Sequence, residues 1–182
     1  MKDKGIYIFI FFVFLAVIIY SCVKKPVYPS TPLIAFSNFI RYGVNPSDPD
    51  SVALSITFED EEGDIGFAQS DTNGIFAKGN FFGILYYDSV PNRNPHIWNL
   101  WNLNVGVTQG GIPFDTAELR YRVPVVLPPN TTQPMKGIIS VSIPRGSFKY
   151  GWLLHQAIYY QVYIYDEARH KSNVISTPVF VF

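Results

Sequence analysis

Hydrophobic residues recur at every second position in three segments of the chain. These apolar positions are Val52, Leu54, Ile56 and Phe58; Ile139, Val141 and Ile143; and Ile158, Tyr160, Val162 and Ile164. A period of two puts successive side chains on opposite faces of a strand, so each segment predicts a strand with one buried face.

Weaker versions of the same pattern predict further strands over residues 34–41, 80–87, 97–107, 120–126 and 177–182. Clusters of proline and glycine separate the segments, as turns require. No segment of 11 or more residues after Cys22 has the apolar spacing of a helix. Seven to nine strands over about 150 residues predict an all-β domain, either a two-sheet sandwich or a barrel.

The amino terminus has a different pattern. Residues 5–20 carry no charge and follow a short charged segment, Lys2 to Lys4. This apolar run is shorter than the roughly 20 residues that a membrane-spanning helix needs, and it is typical of a signal peptide. We therefore predict a signal peptide over residues 1–21, an extended tether over 22–33 and one domain over 34–182.

The end of that run, Ser21-Cys22, resembles the lipobox of bacterial lipoprotein precursors. The resemblance implies cleavage before Cys22 and a diacylglycerol on its thiol, which would anchor the chain to a membrane. The residues after it, Val23 and Lys24, match neither the retention signal nor the surface-export signal of such proteins. The resemblance thus favours the outer membrane, with the domain facing the periplasm rather than the cell surface. The alternative is an uncleaved membrane anchor with an incidental cysteine.

Charge and cysteine content exclude two classes of protein. The chain has 14 basic and 14 acidic side chains, and removing residues 1–21 leaves 12 and 13, a net charge of −1. A nucleic-acid-binding protein would carry a basic surface, so we expect no nucleic acid as a partner. A single cysteine cannot form an internal disulfide bond.

Two further segments resemble known families. Residues 58–66 (FEDEEGDIG) are similar to a signature, F-x-D-x-[DE]-G-D-I-G, of small uncharacterised lipoproteins of the Bacteroidota. Residues 160–178 resemble the last two strands of fibronectin type III and other immunoglobulin-like domains. Together the resemblances imply a single immunoglobulin-like two-sheet sandwich.

The acidic residues of the first segment form the main candidate site. Asp60, Glu62 and Asp64, with Asp166 from a later loop, are ligands that suit Ca²⁺. The residue order of an EF-hand is absent, however. We therefore favour a plain turn, in which Gly63 and Gly66 adopt positive φ and the Asp64 carboxylate accepts hydrogen bonds from nearby amides, and we expect neither a metal nor a cofactor.

Catalytic motifs are absent from the sequence. His96, His155 and His170 are far apart and fit no metal-ligand or hydrolase motif, so we predict that the chain is not an enzyme. Trp98 and Trp101 are candidates for a sugar-stacking platform, although a spacing of three separates them on a strand.

Three short motifs resemble O-glycan acceptors of Bacteroidota envelope proteins, with Ser51, Ser89 and Thr116 as the acceptor residues. Taken together, the sequence predicts a lipid-anchored, non-catalytic binding or structural module that docks to another envelope protein or a glycan. A carbohydrate- or Ca²⁺-binding accessory lipoprotein is the first alternative, and an envelope hydrolase is the second.

Overall fold

The structure is a computed structural model that describes residues 26–45, 47, 49–71, 74, 77, 79–88, 98–100, 118–128, 130–145 and 157–181. Several residues singled out above lie outside these ranges: Cys22 and the predicted signal peptide before it, Ser89, His96, Trp101, Thr116 and His155. Among the described residues, no helix has the length and apolarity that crossing a membrane requires.

Nine strands form in the described part of the chain: β1 (Leu33–Tyr42), β2 (Ser51–Asp60), β3 (Phe81–Asp88), β4 (Asn99–Leu100), β5 (Glu118–Tyr121), β6 (Met135–Pro144), β7 (Ala157–Ile164), β8 (Ile175–Ser176) and β9 (Phe180–Val181). One sheet has the order β1-β2-β6. The other has the order β4-β3-β7-β8, with β5 also paired to β3 and β9 also paired to β7. The prediction of an all-β, two-sheet sandwich is confirmed.

The strand β2 organises the first sheet. It pairs antiparallel with β6 without a break, from Ser51↔Pro144 to Asp60↔Met135. On its other side it pairs with β1, where a bulge interrupts the register between Phe36 and Asn38. The four apolar positions predicted for β2 all face the core and are almost fully buried. The period of two therefore identified the buried face of this strand correctly.

The pair β3–β7 forms the centre of the second sheet, in register from Phe81↔Ile164 to Asp88↔Ala157. Its core face presents Phe81, Leu85 and Tyr160 to the first sheet, and each of them is at most 1% exposed. Burying side chains of this size from both sheets contributes roughly 1.5–3 kcal/mol each to stability. The alternating pattern of β7 predicted this face as well.

Side-chain hydrogen bonds close the sandwich beside β1. The Asn173 amide donates to the Ile34 carbonyl at 2.9 Å, and its oxygen accepts from the Ile34 N–H at 2.7 Å. Further along the same edge, Phe39 stacks on Phe180 and the Arg41 guanidinium donates to the Val181 carbonyl. These contacts satisfy backbone groups of an edge strand that would otherwise be open.

Two predicted strands are misplaced. The strand expected over residues 120–126 ends at Tyr121, because Pro124 has no N–H and the Val123 N–H bonds to a side chain, that of Asn80. Of the strand expected over 177–182, only β9 (Phe180–Val181) forms in the described residues, and the short strand β8 (Ile175–Ser176) precedes the expected range. There the Thr177 hydroxyl accepts from the Tyr160 N–H, and Pro178 interrupts the ladder.

Candidate functional site

The acidic turn begins at Asp60, the last residue of β2, whose side chain is fully buried. Its Oδ2 atom accepts hydrogen bonds from the N–H groups of Gly63 at 2.6 Å and Asp64 at 3.2 Å. Gly63 adopts φ of +73°, and a β-carbon there would come within 2.4 Å of the Gln133 carbonyl oxygen. Only glycine fits this bend, which folds Asp64 back toward Asp60.

A second loop, between β7 and β8, supplies Asp166. This side chain is 1% exposed. Its Oδ1 atom accepts from the His170 N–H at 2.6 Å, and its Oδ2 atom lies 2.9 Å from His170 Nδ1. Arg169 takes a left-handed backbone conformation, with φ of +75°, and allows the loop to turn back on Asp166.

Asp64 connects the two loops. Its Oδ2 atom accepts from the Ala168 N–H at 3.3 Å, and its carbonyl accepts from the Glu167 N–H at 2.9 Å. As a result, Asp60, Asp64 and Asp166 each offer one carboxylate oxygen to a common point, with these oxygens all within 4.8 Å of one another. We call these three residues the carboxylate cluster.

Two oxygens of the carboxylate cluster accept no hydrogen bond. Asp60 Oδ1 and Asp64 Oδ1 are both buried and have no donor within reach. Within the described ranges, no lysine or arginine forms an ion pair with the cluster, and the His170 ring beside Asp166 is the sole basic contact found there. Buried carboxylate oxygens normally have partners, so these two need a physical explanation.

Burial and repulsion by neighbouring carboxylates raise the pKa values of Asp60 and Asp166. The pKa of Asp60 rises to about 6, mainly because burial disfavours the charged form, and the charges of Asp64 and Asp166 add to this. Burial also raises the pKa of Asp166, again with a contribution from Asp64. The pKa of Asp60 in the folded state exceeds its unfolded value of 3.8. As the pH falls below about 6, the folded chain therefore binds this proton at a higher pH than the unfolded chain does. Acid therefore relieves the repulsion, and neutral pH restores it.

The sequence interpretation of the turn is partly wrong. The nearby amides are bound by Asp60 rather than by Asp64, because Asp60 sits at the strand end with the turn wrapped around it. Gly66 has no positive φ, and its requirement for glycine comes from close packing instead. Glu62 is not part of the carboxylate cluster, although its Oε2 atom is also buried without a partner.

A second feature is a cavity of about 440 Å³ beside β6. Apolar groups dominate its lining, among them Phe58, Ile65, Val123, Met135 and Ile139, and the polar contributors include Arg122 and two serines. Among the described residues that line it there is no histidine, cysteine or carboxylate. The cavity can hold apolar groups.

The cavity lies along the edge of the first sheet, where β6 has no neighbouring strand in the described part of the chain. The Arg145 N–H bonds to the Asp50 carbonyl, which places the odd-numbered residues of β6 toward β2. Even-numbered residues therefore turn their N–H and C=O groups to the open edge. The Ser142 carbonyl faces this edge and accepts from the Tyr121 hydroxyl at 2.7 Å. By the same alternation, the backbone groups of Ile138 and Ser140 face the edge as well.

Three other residues singled out by sequence fall within the described ranges. Trp98 packs edge-on against Tyr159 on the outer face of the second sheet, so a sugar platform that includes Trp101 stays a prediction. Ser51 is half-buried at the start of β2. His170 lies beside Asp166 and does not line the cavity.

Sequence reasoning missed the pairing of Asp166 with His170. The spacing D-x-x-x-H was a signal for it, because an aspartate commonly accepts hydrogen bonds from amides a few residues later in a turn. It also missed Asn80, whose amide joins three segments behind the cluster.

Comparison of the chain with protein-family models, with curated proteins and with solved structures found no match.

Proposed function

We propose that this chain is a lipid-anchored, non-catalytic module of the bacterial cell envelope whose β-sandwich binds an extended segment of another envelope protein. One observation carries the proposal: Ser21-Cys22 follows directly on an uncharged run typical of a signal peptide. With Cys22 lipidated, the sandwich is held at a membrane surface, and the resemblance favours the periplasmic face of the outer membrane.

The entry of the chain into the fold supports a short tether. The Glu61 N–H bonds to the Pro29 carbonyl, and Leu33 pairs with Glu59 at the start of β1. Pro29 is seven positions after Cys22, and seven extended steps span at most about 25 Å. The end of the sandwich that carries the acidic turn would therefore stay close to the lipid.

The edge of β6 supports the binding role. Apart from the Ser142 carbonyl, which already accepts from Tyr121, its outward-facing N–H and C=O groups are hydrogen-bonding positions for an added strand. The apolar cavity beside them suits side chains at alternate positions of that strand. Ile138 at the rim is 66% exposed although it is large and apolar. The mainly apolar lining formed by the described residues suits apolar side chains of a bound segment.

Substituting Cys22→Ala is expected to abolish incorporation of labelled palmitate and to block removal of residues 1–21. The wild-type chain should be labelled and recovered with membranes. Ser21→Ala keeps a small residue before the cysteine, so this control should be labelled like the wild type. An unlabelled wild-type chain would contradict the lipid anchor and favour an uncleaved membrane segment.

Substituting Ile138→Lys is expected to reduce crosslinking to the envelope partner in intact cells by about tenfold, because a lysine at the rim places a charge against an apolar strand. Val174→Lys is the matched control, since Val174 is 50% exposed on another part of the surface. Both variants should melt within about 2 °C of the wild type. Equal recovery of the partner with both variants would rule out the β6 edge as the binding surface.

A further inference from the structure

We propose that the carboxylate cluster, Asp60, Asp64 and Asp166, binds one Ca²⁺ ion that joins the acidic turn after β2 to the loop between β7 and β8. The three residues converge although more than 100 positions separate the first from the last. This inference rests on the geometry of the cluster and does not depend on the lipid anchor or on the β6 edge.

The buried oxygens without donors are the observation that points to a ligand. The hydrogen bonds that the cluster side chains accept go to Asp60 Oδ2, Asp64 Oδ2 and the Asp166 carboxylate, which leaves Asp60 Oδ1 and Asp64 Oδ1 buried within the cluster without partners. A structural turn explains the hydrogen bonds that the cluster accepts, but it does not explain the two buried oxygens without partners. A cation at the common point would satisfy both oxygens and neutralise the repulsion among three acids.

The donor chemistry favours Ca²⁺ over other ions. The cluster offers oxygen ligands only, and His170 Nδ1 is already occupied by Asp166. Hard oxygen ligands select Ca²⁺ or Mg²⁺ rather than a transition metal. The three oxygens lie within 4.8 Å of one another, a spacing that the flexible coordination of Ca²⁺ accommodates. Mg²⁺ usually keeps several water ligands and binds one or two carboxylates, so a site of three carboxylates favours Ca²⁺.

The position of the cluster tells what the ion would do. Asp60 ends a strand of the first sheet, and Asp166 follows a strand of the second sheet. The two loops are joined directly by hydrogen bonds from the Ala168 and Glu167 N–H groups to Asp64. An ion bound to all three residues would therefore fasten the two sheets together at this end.

The test uses the full-length chain purified in detergent and freed of divalent ions with EDTA. Equilibrium dialysis should find one Ca²⁺ bound per chain. The melting temperature should rise by about 5–10 °C once Ca²⁺ exceeds its dissociation constant about 100-fold, because the ion binds the folded state. Mg²⁺ at the same concentration should produce a smaller rise. Absence of Ca²⁺ binding, or a larger rise with Mg²⁺, would overturn the assignment.

Asp60→Asn separates ion binding from a structural role. The asparagine oxygen can still accept the bonds from Gly63 and Asp64, so this variant without Ca²⁺ should melt at or above the temperature of the ion-free wild type at pH 7.5. It should bind no Ca²⁺ and gain less than about 1 °C from it. Asp50→Asn is the control, because Asp50 is an exposed aspartate outside the cluster, and it should respond to Ca²⁺ like the wild type. A full response to Ca²⁺ in Asp60→Asn would refute the site.

Discussion

Substituting Asn80→Ala is expected to lower the free energy of unfolding by about 3–5 kcal/mol and the melting temperature by about 10 °C. Asn80 is fully buried. Its amide nitrogen donates to the carbonyls of Ile65 and Tyr165, and its oxygen accepts from the Val123 N–H at 2.7 Å. Alanine leaves all three groups buried without partners, and each such group costs about 1–3 kcal/mol.

Urea or thermal unfolding of the full-length chain measures this effect, with Asn38→Ala as the control. Asn38 is exposed on β1 and accepts from the adjacent Phe39 N–H only, so its removal should change stability by no more than about 0.5 kcal/mol. A loss in Asn80→Ala no larger than in the control would show that the buried amide does not hold the three segments together.

The contacts of Asn80 also explain why some strands could not be predicted. The long strands β2, β6 and β7 each place an apolar residue at every second position on the core side, so their period of two is visible in the sequence. The short strands β5 and β8 end where backbone N–H groups bond to side chains instead of to a neighbouring strand. The Val123 N–H bonds to Asn80, and the Tyr160 N–H bonds to Thr177. Such long-range bonds leave no periodic trace in the sequence.

In the candidate site, too, the features formed by residues adjacent in sequence could be predicted, and those formed by long-range packing could not. The acidic turn was visible because its acidic residues are adjacent in sequence. The convergence of Asp60 with Asp166 depends on how the two sheets pack and could only be posed as a question. The sequence interpretation assigned the amides of the turn to Asp64, whereas Asp60 binds them. Both side chains can accept from amides, and Asp60 does so because it lies at the end of β2, where the turn begins.

The lipid anchor and the Ca²⁺ site are separate proposals about the same end of the molecule. Pro29 bonds to Glu61, one residue beyond Asp60, so a tether from Cys22 enters the fold beside the carboxylate cluster. Lipidation would thus hold the cluster near the membrane surface. The experiments stay distinguishable, since Cys22→Ala changes labelling without touching the carboxylates, whereas Asp60→Asn changes Ca²⁺ binding without touching the signal peptide.

Substituting Gly66→Ala is expected to lower the free energy of unfolding by about 3 kcal/mol or more, through crowding against backbone atoms. A β-carbon at Gly66 would lie 2.3 Å from the Val125 α-carbon and 2.4 Å from the Pro124 carbonyl oxygen. Backbone atoms cannot move aside by changing rotamer, so residues 64–66 would have to separate from 124–125. This would disturb the cavity, which Gly66 and Pro124 both line.

The matched control is Gly74→Ala, because it separates crowding from backbone conformation. Gly74 has a positive φ of +61°, yet a β-carbon there would meet no atom of the described residues within 4 Å. Its substitution should therefore cost only about 1–2 kcal/mol, the strain of an alanine in the left-handed region. Chemical denaturation of both variants measures the difference. If Gly66→Ala proved no less stable than Gly74→Ala, the close approach of residues 66 and 124–125 would not be a fixed feature of the fold, and the cavity between them would not have a defined wall.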